Sequence, residues 1–160
     1  MSFRMVADFK VAKNDIPEGL KKAEKVFKEE TVRALKIVGV QLLNNVIMGS
    51  RNEPIRPPIL TGMLRGSGSV FVGSEFIKDS KDQGNNGTPV NNYPASNPNQ
   101  ITIIFNTAYA TRIHENYDSM KPGEASIRAG NVGGKFLEKH LKADAHDLYD
   151  FYAKLMRKYF

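Results

Sequence analysis

Leu20, Ala23, Phe27, Ala34, Val38, Leu42 and Val46 recur at three- and four-residue steps, which puts them on one face of a helix. A start signal lies just upstream in Asn14-Asp-Ile-Pro-Glu18. Asp15 can cap the helix, Pro17 fits its first turn, and Glu18 stands at capping-box distance from Asp15. Gly49 can supply the left-handed residue that ends the helix after Met48. At ~1.5 Å per residue such a helix approaches about 50 Å, more than a small core needs. The excess is expected to bend or to serve a neighbouring subunit. A second periodic stretch runs from Lys135 to Lys158, where Leu137, Leu141, Leu148, Tyr152, Leu155 and Tyr159 form a seam at coiled-coil-like spacing. Lys154, Arg157 and Lys158 fall in its last turns, where the helix dipole favours cations.

Other stretches alternate with period two. Residues 3–12 mix aromatic and β-branched positions with polar ones and predict a strand. Ser69 to Ile77 predicts another, with Val70, Val72 and Phe76 on one face. Ile101 to Asn106 is its expected partner, with Ile101, Ile103 and Phe105 on one face. Between these two, Lys78 to Gln100 is rich in Asp, Asn, Gly, Ser and Pro and almost free of large aliphatics. It is expected to be a long mobile hairpin loop outside the core. Pro54, Pro57 and Pro58 hold an extended connector. Thr61 is the expected N-cap of a single turn through Met63, Leu64 and Arg65. Residues 107–115 predict a short helix, and Asn116 to Gly134 a second irregular stretch. The expected fold class is α+β: a small antiparallel sheet packed against two long helices, with long loops, in one domain spanning residues 1–160.

Composition narrows the chemistry. A chain of 160 residues can bury a core without staples, and with no cysteine it has no disulfide, thiolate metal site or cysteine nucleophile. The opening Met1-Ser-Phe-Arg-Met-Val-Ala-Asp has no apolar h-region, so no signal peptide is expected. No apolar run is long enough to span a bilayer, so no membrane is expected among its partners. The net charge of +6 raises the possibility of nucleic acid. Its distribution weakens it, because Lys21, Lys22, Lys25 and Lys28 alternate with Glu18, Glu24, Glu29 and Glu30 as on a solvated helix face.

Candidate catalytic and metal-binding groups are few. His114-Glu115 could form a base or a metal site, but the position one turn on is Asp118 in an expected loop. Local pairing at the end of the short helix is the simpler expectation. His140 and Asp144 stand one turn apart on the terminal helix, with Lys139 and Lys142 beside them, and are expected on its solvated polar face. No Ser/His/Asp constellation assembles by spacing, and Gly66-Ser-Gly68 lacks the close of a phosphate loop. Arg65 either pairs with a carboxylate, Glu115 being the most suggestive, or stands exposed and unpaired. Phe151 and Phe160 are candidates for an intersubunit surface. Neither a catalytic residue, a metal nor a cofactor is expected.

Three segments share one likeness. They are Leu60-Thr-Gly-Met-Leu-Arg-Gly-Ser67, Tyr109-Ala-Thr-Arg-Ile-His-Glu115 and Gly133-Gly-Lys-Phe-Leu-Glu-Lys139. In this order the chain resembles the neck proteins of tailed bacteriophages, a group of head–tail connector, tail-completion and minor capsid proteins. The resemblance implies a non-enzymatic virion protein, assembled in the host cytoplasm, that forms a ring of six or twelve copies. Its implied partners are copies of itself, a portal-proximal connector protein and a tail-tube or tail-terminator protein. Genomic DNA would pass through the lumen without sequence-specific binding. The implied motif and interface residues are Thr61, Gly62, Leu64, Arg65, Ser67, Tyr109, Ala110, His114, Glu115, Gly134, Phe136 and Leu137. A tail terminator or another minor virion protein is the alternative within this class, and a basic nucleic-acid-binding module the alternative outside it.

Overall fold

The computed structural model describes residues 2–3, 18–59, 62–81, 87–95 and 97–159. Four strands, β1 (Ser2–Phe3), β2 (Gly68–Val72), β3 (Glu75–Asp79) and β4 (Ile101–Phe105), form one antiparallel sheet in the order β1-β4-β2-β3. The helices are α1 (Glu18–Met48), α2 (Met63–Gly66), α3 (Ala110–Asn116), α4 (Glu124–Ala129), α5 (Phe136–Ala143) and α6 (Ala145–Met156). The fold is α+β, as its patterning implies. Of the strand expected over residues 3–12, Phe3 lies in β1 and the rest falls outside the described residues, as do Asp15 and Pro17.

β2 is the central strand and is buried along its whole length. Val70 and Val72 face α1, and with Ile101 and Ile103 of β4 they join the core that Leu35, Val38, Leu42 and Val46 complete. Helix and sheet approach most closely at Gly39, where an added Cβ would stand 3.0 Å from Val70 Cγ2 and 3.3 Å from Ile101 Cγ2. On the other face Phe71 packs edge-on against Phe76, with ring centroids 5.7 Å apart, and against Tyr93 at 5.6 Å. A fully buried aromatic on the outer face needs such a cover.

Several expectations are corrected here. The strand expected over Ser69 to Ile77 is a hairpin: Gly73 takes φ 59°, a left-handed conformation that turns the chain back after Val72. Phe76 therefore lies on the return strand opposite Phe71, on the face away from Val70 and Val72. The segment from Lys78 to Gln100 is not a loop free of the core. It begins in β3, Ser80 and Gly87 are buried, and Tyr93 helps to cover Phe71. Along α1 the buried stripe begins at Thr31, while Leu20 and Ala23 are exposed and the helix from Glu18 to Glu30 carries no buried residue. Gly49 does end α1, at φ 82°.

The stretch from Asn116 to Gly134 holds a 3-10 turn at Tyr117–Ser119 and helix α4. Arg56 of the proline-rich connector donates through Nη2 to Ala129 O (2.6 Å) and Gly130 O (3.0 Å), placing a cation at the carbonyl end of α4. Ser126 Oγ donates to Ile59 O (2.8 Å) and accepts from Ile59 N (2.9 Å). The helix expected over Lys135 to Lys158 is two helices, broken at Asp144. Of its seam, Leu137 is buried, Leu141, Leu148, Tyr152 and Leu155 pack half-buried against the core, and Tyr159 is exposed. No helix among the described residues is long and apolar enough to cross a membrane.

Candidate functional site

The second and third segments meet directly. α3 begins after Tyr109, and its last turn presents His114 and Glu115 side by side. Glu115 Oε1 lies 2.8 Å from His114 Nδ1. A carboxylate only accepts, so the imidazole donates from Nδ1 and Nε2 is left over. That Nε2 is buried and has no hydrogen-bond partner among the described residues. Glu115 Oε2 accepts from Lys135 Nζ at 2.7 Å, and the backbone N–H of Lys135 donates to His114 O at 2.6 Å. The hydrogen bond from Lys135, followed by that from His114, holds the Glu115 carboxyl below its usual range, and the same ion pair holds the Lys135 ammonium above its own. Both groups are exposed, so this exchange fixes geometry more than it adds stability.

Lys135 occupies the cap position of α5 at φ 51°, a left-handed turn in a non-glycine residue. Gly134 makes the junction possible, since a Cβ there would stand 3.1 Å from both His114 O and Tyr117 Cβ. The turn drives Phe136 inward, where its ring meets Phe105 (5.3 Å, 80°) and the His114 imidazole (4.9 Å, 81°) edge-on. Leu137 follows into the core. Beside this joint lies an open groove of about 490 Å³, floored by Ile104 and Phe105 and walled by Thr111, His114, Glu115 and Phe136.

The first segment adjoins the joint without entering it. Thr61 lies outside the described residues, and the cap position of α2 belongs to Gly62, at φ 80°, rather than to Thr61. Leu64 is buried and shares with Tyr109 and Ile113 the wall of a second cavity, of about 290 Å³. Ser67 is fully buried; its Oγ donates to Leu64 O at 2.8 Å, and its carbonyl accepts from Asn106 N at 3.2 Å. Arg65 does not pair with Glu115, nor does it stand exposed. Its side chain is buried, and Nε donates to Pro57 O at 2.7 Å. Burial, with the positive charge of Arg56 nearby, lowers its pKa to about 10. Glu115 is held instead by Lys135, a nearer cation that the α5 turn delivers. Ser80 completes the anchor of this segment: its hydroxyl donates to Arg65 O and accepts from Gly68 N at 3.0 Å. A serine in a polar, glycine-rich stretch gave no sequence signal for that role.

A further correction concerns His140 and Asp144, which do not lie on a solvated face. They are 0% and 1% exposed. Asp144 Oδ1 accepts from Ser50 Oγ (2.6 Å), and Oδ2 accepts from Asn45 Nδ2 (3.0 Å) and lies 2.9 Å from His140 Nδ1. His140 Nε2 lies 2.7 Å from Ile55 O. The pair therefore knots the end of α1, the proline-rich connector and the α5–α6 break together. Among the described residues no three His, Asp or Glu side chains group as a metal site. Comparison of the chain with protein-family models, with curated proteins and with solved structures finds no match.

Proposed function

We propose that this protein is a structural component of the neck of a tailed bacteriophage. In this role it forms a ring that joins the portal and head-completion complex to the tail. The observation that carries the proposal is the convergence of two of the three likeness-bearing segments on one joint, with the third against its flank. Tyr109, Ala110, His114 and Glu115 stand about twenty residues before Gly134, Phe136 and Leu137 in the chain. Even so, the two segments share a backbone hydrogen bond, an ion pair and a ring contact, through Lys135 and Phe136. Leu64 meets Tyr109 across the second cavity.

The test is deletion of the gene from a phage that carries it. DNA-filled heads and finished tails are expected to accumulate unjoined, and negative-stain images of the concentrated protein to show rings of six or twelve copies. Infectious virions assembled without the protein would overturn the proposal. Steep salt-dependent binding to generic duplex, without rings, would assign the chain to nucleic-acid binding instead.

A further inference from the structure

Strand β4 has one complete neighbour and one partial one. β2 pairs with it from Ile101 to Phe105, whereas β1 meets it at Ile101 and Thr102 alone among the described residues. Two hydrogen bonds at the ends of β4 give the direction of its backbone groups. Gln100 O accepts from Gly73 N at 2.9 Å, and Asn106 N donates to Ser67 O at 3.2 Å. The even-numbered residues therefore turn their N–H and C=O toward β2. Alternation turns those of Ile103 and Phe105 to the other side, where no hydrogen bond reaches them among the described residues.

The groove of about 490 Å³ beside the α3–α5 joint follows this same edge. Thr102, Ile103, Ile104 and Phe105 all line it. Successive side chains of a strand point to opposite faces, so a groove lined by four in a row runs along the strand's rim. Thr111 and Glu115 of α3 stand in the wall across from β4. The Glu115 carboxylate is already matched by Lys135 at 2.7 Å, so the groove calls for no charge from an occupant.

The two edges of the sheet are built differently. β3, at the far edge, carries Glu75, Lys78 and Asp79, and charges of this kind guard an edge against further pairing. β4 reads Ile-Thr-Ile-Ile-Phe and has no charge. Unpaired N–H and C=O groups at strand spacing, beside an uncharged groove, select an extended polypeptide over any other ligand class. The α3 wall restricts the occupant further. The rim of a second copy's sheet would bring its remaining strands against α3, whereas a single free segment would not. We propose that the open edge of β4 takes an extended segment of a partner protein as an added strand, uncharged where it passes Ile103 to Phe105. This contact stands apart from the neck reading and needs no ring.

The probe is a capped heptapeptide of alternating threonine and valine, compared with its fully N-methylated twin. The twin keeps the side chains and loses every N–H that a strand would donate. Amide hydrogen exchange of the whole chain, followed residue by residue by NMR, is the readout. In the free protein, Ile103 and Phe105 should exchange faster than Thr102 and Ile104, whose N–H groups face β2. Saturating peptide should slow Ile103 and Phe105 by about tenfold or more, and the twin should leave them unchanged. Thr111 is exposed on the groove wall, so Thr111→Trp should narrow the groove and weaken peptide binding by about tenfold or more, with an unaltered melt. Equal binding of the twin, unchanged exchange at Ile103 and Phe105, or full binding by Thr111→Trp would overturn the proposal. Protection of these two amides that grows with protein concentration alone would also overturn it, by giving the edge to a second copy. None of these outcomes bears on the gene-deletion test of the neck reading.

Discussion

His140 sits between two groups that can only accept, the Asp144 carboxylate and the Ile55 carbonyl. Its ring satisfies both only by donating from each nitrogen, and Asp144 in turn needs Ser50 and Asn45. Burial works against the Asp144 charge, but the hydrogen bonds from Ser50, His140 and Asn45 outweigh it and hold the carboxyl below its ordinary 3.8. Removing the carboxylate in Asp144→Ala strands a buried imidazole, and the expected loss is about 3–5 kcal/mol in urea melts. The sign with pH follows from the lowered value. The contribution of Asp144 is complete above its unfolded pKa and is lost as pH falls below about 4. Stability measured from pH 6 to pH 3 should therefore drop steeply at the acid end, and Asp144→Asn should flatten that drop. Glu115 and Glu138 are also lowered, but Glu115 is exposed and Glu138 only half-buried, so the comparison with Asp144→Asn isolates the buried group. The one-turn spacing of His140 and Asp144 is plain in the sequence. What hides their burial is that Ser50, Asn45 and Ile55 arrive from ~90 positions earlier in the chain, which local spacing cannot report.

At the scale of elements, α1 from Thr31 onward, β4 and α3 are readable from local pattern, and the connector from its prolines, because each is decided by its own side chains. The α5–α6 break is not, because the seam of leucines runs through it unbroken and Asp144 is held by another helix. The hairpin at Gly73 is illegible for the opposite reason: β2 is buried on both faces, so alternation carries no turn signal and only the glycine marks the bend. Packing differs along the seam, and so should the cost of truncation. Leu137 is 8% exposed, and Leu137→Ala should cost about 2–5 kcal/mol. Leu148 is only half-buried and exchanges less area on unfolding, so Leu148→Ala should fall at or below the bottom of that range. Equal losses in paired thermal melts would mean that α6 is packed as tightly as α5. Gly39 marks where the seam of α1 meets the sheet. Gly39→Leu should destabilise by at least about 1–3 kcal/mol, because Val70 and Ile101 already stand where its Cβ would go.

At the scale of the whole molecule, the long excursion between β3 and β4 has two parts with different expected consequences. Ser80 anchors Arg65 and Gly68, Thr88 O accepts from Asn106 Nδ2, and Tyr93 covers Phe71. Replacing Asp79 to Asn97 by a short turn would strip all three and leave Phe71 with only Phe76 of its two ring partners. The melting transition of that variant should therefore collapse, contrary to what the polar composition of the segment suggests. Asp82-Gln-Gly-Asn-Asn86 is a different case, with no apolar side chain to lend to a core. Shortening those five positions to Gly-Gly should leave the melt within about 0.5 kcal/mol of the unaltered protein, since they have no apolar side chain to lose. If the neck assignment holds, the two variants separate folding from joining when each is supplied to a phage that lacks the gene. The large deletion should fail to complement because the protein does not fold. The short one should fold, and a polar segment of this kind on a ring subunit suits adaptable contacts to a neighbouring ring. Heads and tails accumulating apart, despite a normal melt, is the expected result for the short variant. Full infectivity would show that the tip makes no contact that joining needs.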